Sequence, residues 1–213
     1  MKCKGAIFDM DGVLFDTERM YQQTWREIAE ERGIKLGDGF TKAISGTSGS
    51  GMARVLEEWY QVKDGAEIAR ECMERMEKKL SIHVPVKEGV REILGFFQER
   101  GVLLAVASSS SVEQIEANLR GSGIREYFTA VTSGSEVERG KPAPDIFLRA
   151  AEKIGCRPEE CFVFEDSVNG VRAGIRAGCA TIMVPDLIEA PPEIRPGCLA
   201  VCSSLSEALQ VCR

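Results

Sequence analysis

Two aspartates separated by one residue, Asp9 and Asp11, directly follow the apolar run Ala6-Ile7-Phe8 and precede Gly12. Carboxylates crowded at one turn repel each other unless a cation lies between them. Magnesium suits such a place: it is a hard cation bound through oxygen, commonly by one or two carboxylates plus a substrate phosphate. The pair therefore points to magnesium-assisted phosphoryl transfer. A plain surface turn is the alternative, because Asp and Gly are ordinary turn residues.

Two more polar groups follow apolar runs in the same way, and a lysine stands in a loop beyond another. Ser108 follows Val102 to Ala107, Glu165 and Asp166 follow Cys161 to Phe164, and Lys141 stands in the loop Gly140-Lys141-Pro142. Each has a bland reading. Ser108, in a run of four serines, suits a helix N-cap. Glu165-Asp166-Ser167 suits the positive end of a helix dipole. Lys141 suits a solvated loop. As a set they suit phosphoryl transfer, which depends mainly on positioning and electrostatics. Asp9 would attack phosphorus and carry an aspartyl-phosphate. Asp11 would protonate the leaving oxygen and then activate water. Ser108 and the neighbouring Ser109 would hold phosphate oxygens, and Lys141 would neutralise growing charge. Glu165 and Asp166 would complete a Mg2+ shell with Asp9 and a backbone carbonyl from Asp11.

The elements that must position these groups are legible as hydrophobic patterns. Strands are expected at 6–8, 102–107, 128–132, 161–164, 180–184 and 199–202. Between the later strands lie helical patterns at 90–100, 112–120, 143–154, 169–177 and 206–211. Strands alternating with helices predict an α/β fold, a doubly wound, Rossmann-like parallel sheet. Ligands bind outside the carboxyl ends of the strands in such sheets. Asp9, Ser108, Glu165 and Asp166 would then converge on one edge.

Residues 17–85 break this rhythm. Helical patterns cover 17–32, 52–60 and 66–80, the Gly/Ser-rich stretch 45–51 reads as a loop, and 82–86 reads as a connector. The expected organisation is a catalytic core of residues 1–16 and 86–213 with a helical cap domain, 17–85, inserted after the first strand. The cap is expected to close over the site and to supply substrate contacts from Thr17, Tyr21, Thr47 and Ser48.

Bulk properties narrow the function classes. Of 213 residues, 44% are hydrophobic and 28% charged, ordinary for a globular chain. A net charge of −6 argues against nucleic acid or an anionic membrane as partner. The expected partner is a small phosphorylated metabolite, and a monomer is the default. Eight cysteines without a C-x-x-C pair, beside a single histidine, His83, argue against zinc. With no long apolar segment at the start, reduced thiols and a cytoplasmic location are expected.

Asp9-Met10-Asp11-Gly12-Val13, Ser108, Gly140-Lys141-Pro142 and Phe164-Glu165-Asp166-Ser167 resemble, in chain order, the four motifs of the haloacid dehalogenase superfamily. The resemblance covers nearly the whole chain. It is to the branch with a helical cap, which contains β-phosphoglucomutases and small-metabolite phosphatases. The stretches 16–21, 141–147 and 165–171 are similar to those of pseudouridine-5′-phosphatase-like proteins. The resemblance implies Asp9 as nucleophile, Asp11 as acid and base, and magnesium at Asp9, Asp11 and Asp166 with Glu165 nearby or ligating. β-Phosphoglucomutases carry a cap histidine where Tyr21 stands here, and a cap arginine where Gly49 stands. Those departures favour a phosphatase of a sugar or nucleoside monophosphate over a mutase. Asp11 and Asp166 argue against dehalogenase chemistry. A non-enzymatic phospho-acceptor module fits poorly, since its acceptor would follow a middle strand of a smaller domain.

Overall fold

The computed structural model describes residues 3–47 and 49–213. The chain divides into two compact units, Met1–Asp16 with Val84–Arg213, and Thr17–His83. The first contains a six-stranded sheet, β1 (Gly5–Phe8), β2 (Leu103–Ser108), β3 (Ala130–Ser133), β4 (Cys161–Glu165), β5 (Ala180–Met183) and β6 (Ala200–Val201). Its order is β3-β2-β1-β4-β5-β6, and its pairings are parallel. This is the α/β parallel-sheet architecture expected from the alternation.

The opening strand lies in the middle. Phe8 pairs with Val106 on one side and with Phe164 on the other, so Asp9 emerges beside Ala107 and Glu165. Both faces of the sheet are covered, which is why these strands read as unbroken apolar runs. On one face Ile7, Ala105, Ala107 and Val163 pack against helices α7 (Asp145–Lys153) and α8 (Val168–Ala177), through Ile146, Phe147, Ala150 and Ala173. On the other, the Phe8 and Phe164 rings stack at 4.5 Å and meet Phe97 of α5 (Val90–Glu99). Each such ring contributes roughly 1.5–3 kcal/mol on burial. Successive side chains in a strand alternate between faces. Continuing that alternation, Asp9 falls on the Ile7 side, the side of α7, whose preceding loop carries Lys141.

Capping fixes where the core helices start. Ser111 accepts from the Gln114 amide at the head of α6 (Val112–Gly121), and Ser204 from the Glu207 amide at the head of α9 (Leu205–Val211). Each such cap contributes about 1 kcal/mol.

The second unit consists of α1 (Thr17–Glu31), α2 (Phe40–Ile44), α3 (Gly49–Tyr60) and α4 (Gly65–Ile82). Tyr60 is buried and donates its hydroxyl to the Trp25 carbonyl at 2.5 Å, as a buried tyrosine must to avoid an orphaned polar tip. Helix α3 starts at Gly49, inside the stretch 45–51 expected as a loop, and the short helix α2 before it was not expected from the sequence. Phe40 and Ile44 of α2 are buried, and that burial orders a helix of only five residues.

Candidate active site

The acids and the lysine anticipated at strand ends meet at the carboxyl edge of β1, β2 and β4. The Lys141 ammonium donates to Asp9 Oδ1 at 2.5 Å and to Glu165 Oε1 at 2.5 Å, with the Ala107 carbonyl at 3.4 Å. Asp9 and Glu165 are buried, and the Lys141 side chain is 10% exposed. Burial works against the lysine's charge, but the two carboxylates more than offset it and hold Lys141 above its ordinary range. Burial pushes Asp9 up to about 8, with Glu165 and Asp11 adding to the rise and Lys141 opposing it.

Asp166 completes a group of three. One carboxylate oxygen each from Asp9, Glu165 and Asp166 lies within 4.8 Å of the others. Three hard oxygen donors at that spacing fit a divalent cation of the magnesium kind. The Asp11 carboxylate is not in this group. Its Oδ2 accepts instead from the Ser110 hydroxyl at 3.2 Å.

The two motif-four acids have different surroundings. Glu165 Oε1 takes the Lys141 proton donor, while Oε2 accepts from the Ser167 amide and hydroxyl, both at 3.0 Å. The same Ser167 hydroxyl accepts from the Gly170 amide at 3.0 Å, capping α8. A carboxylate over a helix N-terminus is favoured by the helix dipole. The fit is close: a Cβ built on Gly170 would lie inside the Glu165 carboxylate. Gly12, at φ +80°, likewise has no room for a side chain, because its Cβ would run into Asp166. These two glycines let the backbone approach the acids.

Ser108 ends β2 and is 2% exposed, with its hydroxyl accepting from the Ser110 amide at 3.1 Å. Ser109 is exposed. Ser110 is further held through its carbonyl by Ser133 of β3 at 2.7 Å. Sequence reasoning missed Ser110 and Ser167. A capping signal was present for Ser167, three residues before Gly170, whereas nothing in a run of serines marks which one faces Asp11.

The candidate substrate residues Thr17, Tyr21 and Thr47 lie in the helical unit. Thr17 is buried at the head of α1, Tyr21 is partly exposed one turn on, and Thr47 donates its hydroxyl to the Ile44 carbonyl at 2.7 Å. Ser48 lies outside the described residues. Gly49 opens α3 at φ +53°.

Acids, serine and lysine at the carboxyl edge of a parallel sheet define a class of phosphoryl-transfer proteins, and comparison with known proteins places the chain within it. Residues 6–184 match the family model for haloacid dehalogenase-like hydrolases. The chain belongs to that family and is a hydrolase. It is 35% identical over 181 residues to a phosphorylated carbohydrates phosphatase of Thermotoga maritima, covering 84% of this chain and 83% of the relative. It is 35% identical over 194 residues to a protein of Drosophila melanogaster named a probable pseudouridine-5′-phosphatase, covering 87% and 83%. A solved structure from Thermotoga maritima, provisionally described as a β-phosphoglucomutase, superposes with a TM-score of 0.80 at 31% identity, covering 98% of each chain.

Proposed function

We propose that this hydrolase is a magnesium-dependent phosphatase of a small phosphorylated metabolite, a sugar or nucleoside monophosphate, working through an aspartyl-phosphate on Asp9. The observation that carries the reading is the Lys141 ammonium held between Asp9 and Glu165, with Asp166 in the same oxygen group. Relatives named as phosphatases of carbohydrates and of a nucleoside phosphate support the substrate class.

Asp9, Glu165 and Asp166, whose oxygens lie within 4.8 Å of one another, would hold the metal together with the backbone carbonyl of Asp11. When bound, magnesium supplies charge neutralisation at the phosphoryl oxygens. The chain's own groups do the rest. Asp9 attacks phosphorus in line with the leaving oxygen. Asp11, held by the Ser110 hydroxyl, gives that oxygen a proton and later takes one from water. Ser108 and the Ser109 amide hold phosphoryl oxygens. Lys141 opposes the rise that burial imposes on Asp9, so that with the metal bound Asp9 is anionic for attack, and it offsets charge on the phosphoryl group. Glu165 also fixes the ammonium. Thr17, Tyr21, Thr47 and Ser48 of the helical unit are the proposed substrate contacts. The protein is proposed to act as a cytoplasmic monomer.

Phosphate release from sugar, nucleotide and pseudouridine monophosphates, with and without Mg2+, tests this reading. Release that needs Mg2+ is expected, and Asp9→Asn should lower it more than a thousandfold while the circular dichroism spectrum stays unchanged. The competing reading, β-phosphoglucomutase, rests on the Thermotoga structure. Glucose 6-phosphate formed from β-glucose 1-phosphate, without inorganic phosphate, would establish it. Gly49 offers no basic anchor for the second phosphate that such a reaction must hold.

A further inference from the structure

We infer that Arg176 and the pair Arg139–Asp145 are positioning residues for Lys141. The inference rests on the catalytic reading of Lys141 given above. The lysine stands on a loop, not on the sheet, yet its ammonium must sit between two buried carboxylates from two different strands. A long, rotatable side chain holds such a place only if its backbone is fixed.

Two contacts fix it. Arg139 closes the loop on itself, donating Nε to Asp145 Oδ2 at 3.0 Å and Nη2 to Asp145 Oδ1 at 2.8 Å. Such a bidentate fork constrains direction as well as distance. It spans the residues on either side of Lys141, from within the loop after β3 to the first turn of α7. Arg176, in the last turn of α8, donates to the Pro142 carbonyl at 2.8 Å. The peptide next to Lys141 is thereby tied to the helix whose head caps Glu165. The loop that carries the ammonium and the strand that carries its acceptor become one assembly, β4–α8.

Arg139 and Arg176 lie toward solvent, while the Asp145 side chain is only 19% exposed. Arg139 is 68% exposed, and exposed ion pairs of this kind contribute little to stability. Their geometry is therefore better explained by what they hold in place than by stability. A small shift of the loop moves the ammonium relative to Asp9, and misplacing a reacting group by about 1 Å can cost up to a hundredfold.

The test is a double-mutant cycle, Arg176→Ala with Lys141→Ala and Arg139→Gln with Lys141→Ala. It is read in p-nitrophenyl phosphate turnover and in the dissociation constant of orthovanadate, with melting temperature measured throughout. Arg176→Ala and Arg139→Gln should each lower kcat about tenfold, leave the melting temperature within about 2 °C, and have no further effect in the Lys141→Ala background. Arg176→Lys, which keeps a donor, should recover most of the loss. Equal loss in both backgrounds, or no loss while Lys141→Ala is impaired, overturns the inference. A Lys141→Ala enzyme with undiminished turnover would instead overturn the role of Lys141 itself.

Discussion

At the scale of single residues, the site depends on two carboxylates being packed where a side chain would not fit. Gly170→Ala puts a methyl group into the Glu165 carboxylate. Overpacking of this kind costs about 1–3 kcal/mol. Here the strain falls on the acceptor of Lys141, so activity should fall at least tenfold in a protein that remains folded, measured by turnover and thermal denaturation together. The proton on Asp9 gives a second expectation. In the metal-free protein burial lifts Asp9 to about 8, so at neutral pH a cation must displace a proton to reach it. Mg2+ affinity should rise as pH approaches 8 and level off above it. Calorimetry at pH 7 in buffers of different ionisation enthalpy should detect proton release on Mg2+ binding. The acids, Ser108 and Lys141 were legible because each follows an apolar run or a glycine. Gly12 and Gly170 were legible only as turn and helix residues. That each faces a carboxylate follows from which strands become neighbours, which periodicity does not carry.

Among the elements, α8 has two tasks, and they can be separated. Ser167 caps it and also donates to Glu165. Ser204 caps α9 in the same way with no contact to the acids. Ser167→Ala and Ser204→Ala should each destabilise the protein by about 1 kcal/mol in urea denaturation. Only Ser167→Ala should also reduce turnover; equal effects on activity would show that Glu165 does not depend on the cap. The strands of the core and the helices between them were readable because both faces of the sheet are covered, leaving unbroken apolar runs bounded by polar turns. Helix α2 was not. Its five residues contain too little pattern to register a period, and what orders them is burial of Phe40 against Trp59 and Tyr60. The arginine brace was hidden for another reason: Arg176 and Pro142 are linked only once α8 lies beside α7.

For the whole molecule, the cysteines are the property most easily misjudged from composition. All eight are free, and five are buried. Burial is the leading cause that raises every one of them, Cys179 and Cys212 to about 12. Thiols held protonated are poor nucleophiles. At pH 7.5 the native protein should react slowly with a disulfide reagent such as DTNB, beginning at the partly exposed Cys3, Cys198 and Cys212. In denaturant eight thiols should react at once. Rapid reaction of all eight in the native state would mean that the core opens far more readily than its packing implies. Among the described residues no helix is long and apolar enough to cross a membrane.

The place of β1 in the sheet also bears on synthesis at the ribosome. The first strand made, Gly5–Phe8, has as its neighbours Leu103–Ser108 and Cys161–Glu165. Chain growth of roughly 5–20 residues per second leaves that apolar segment waiting on the order of ten seconds for its second partner. During that interval only the helical unit, Thr17–His83, has its whole sequence available to fold. The nascent protein thus carries a strand with an open edge, followed by Asp9, until β4 has left the exit tunnel. Slower decoding between the codons of the first and fourth strands would lengthen the period in which that strand is open to misassociation.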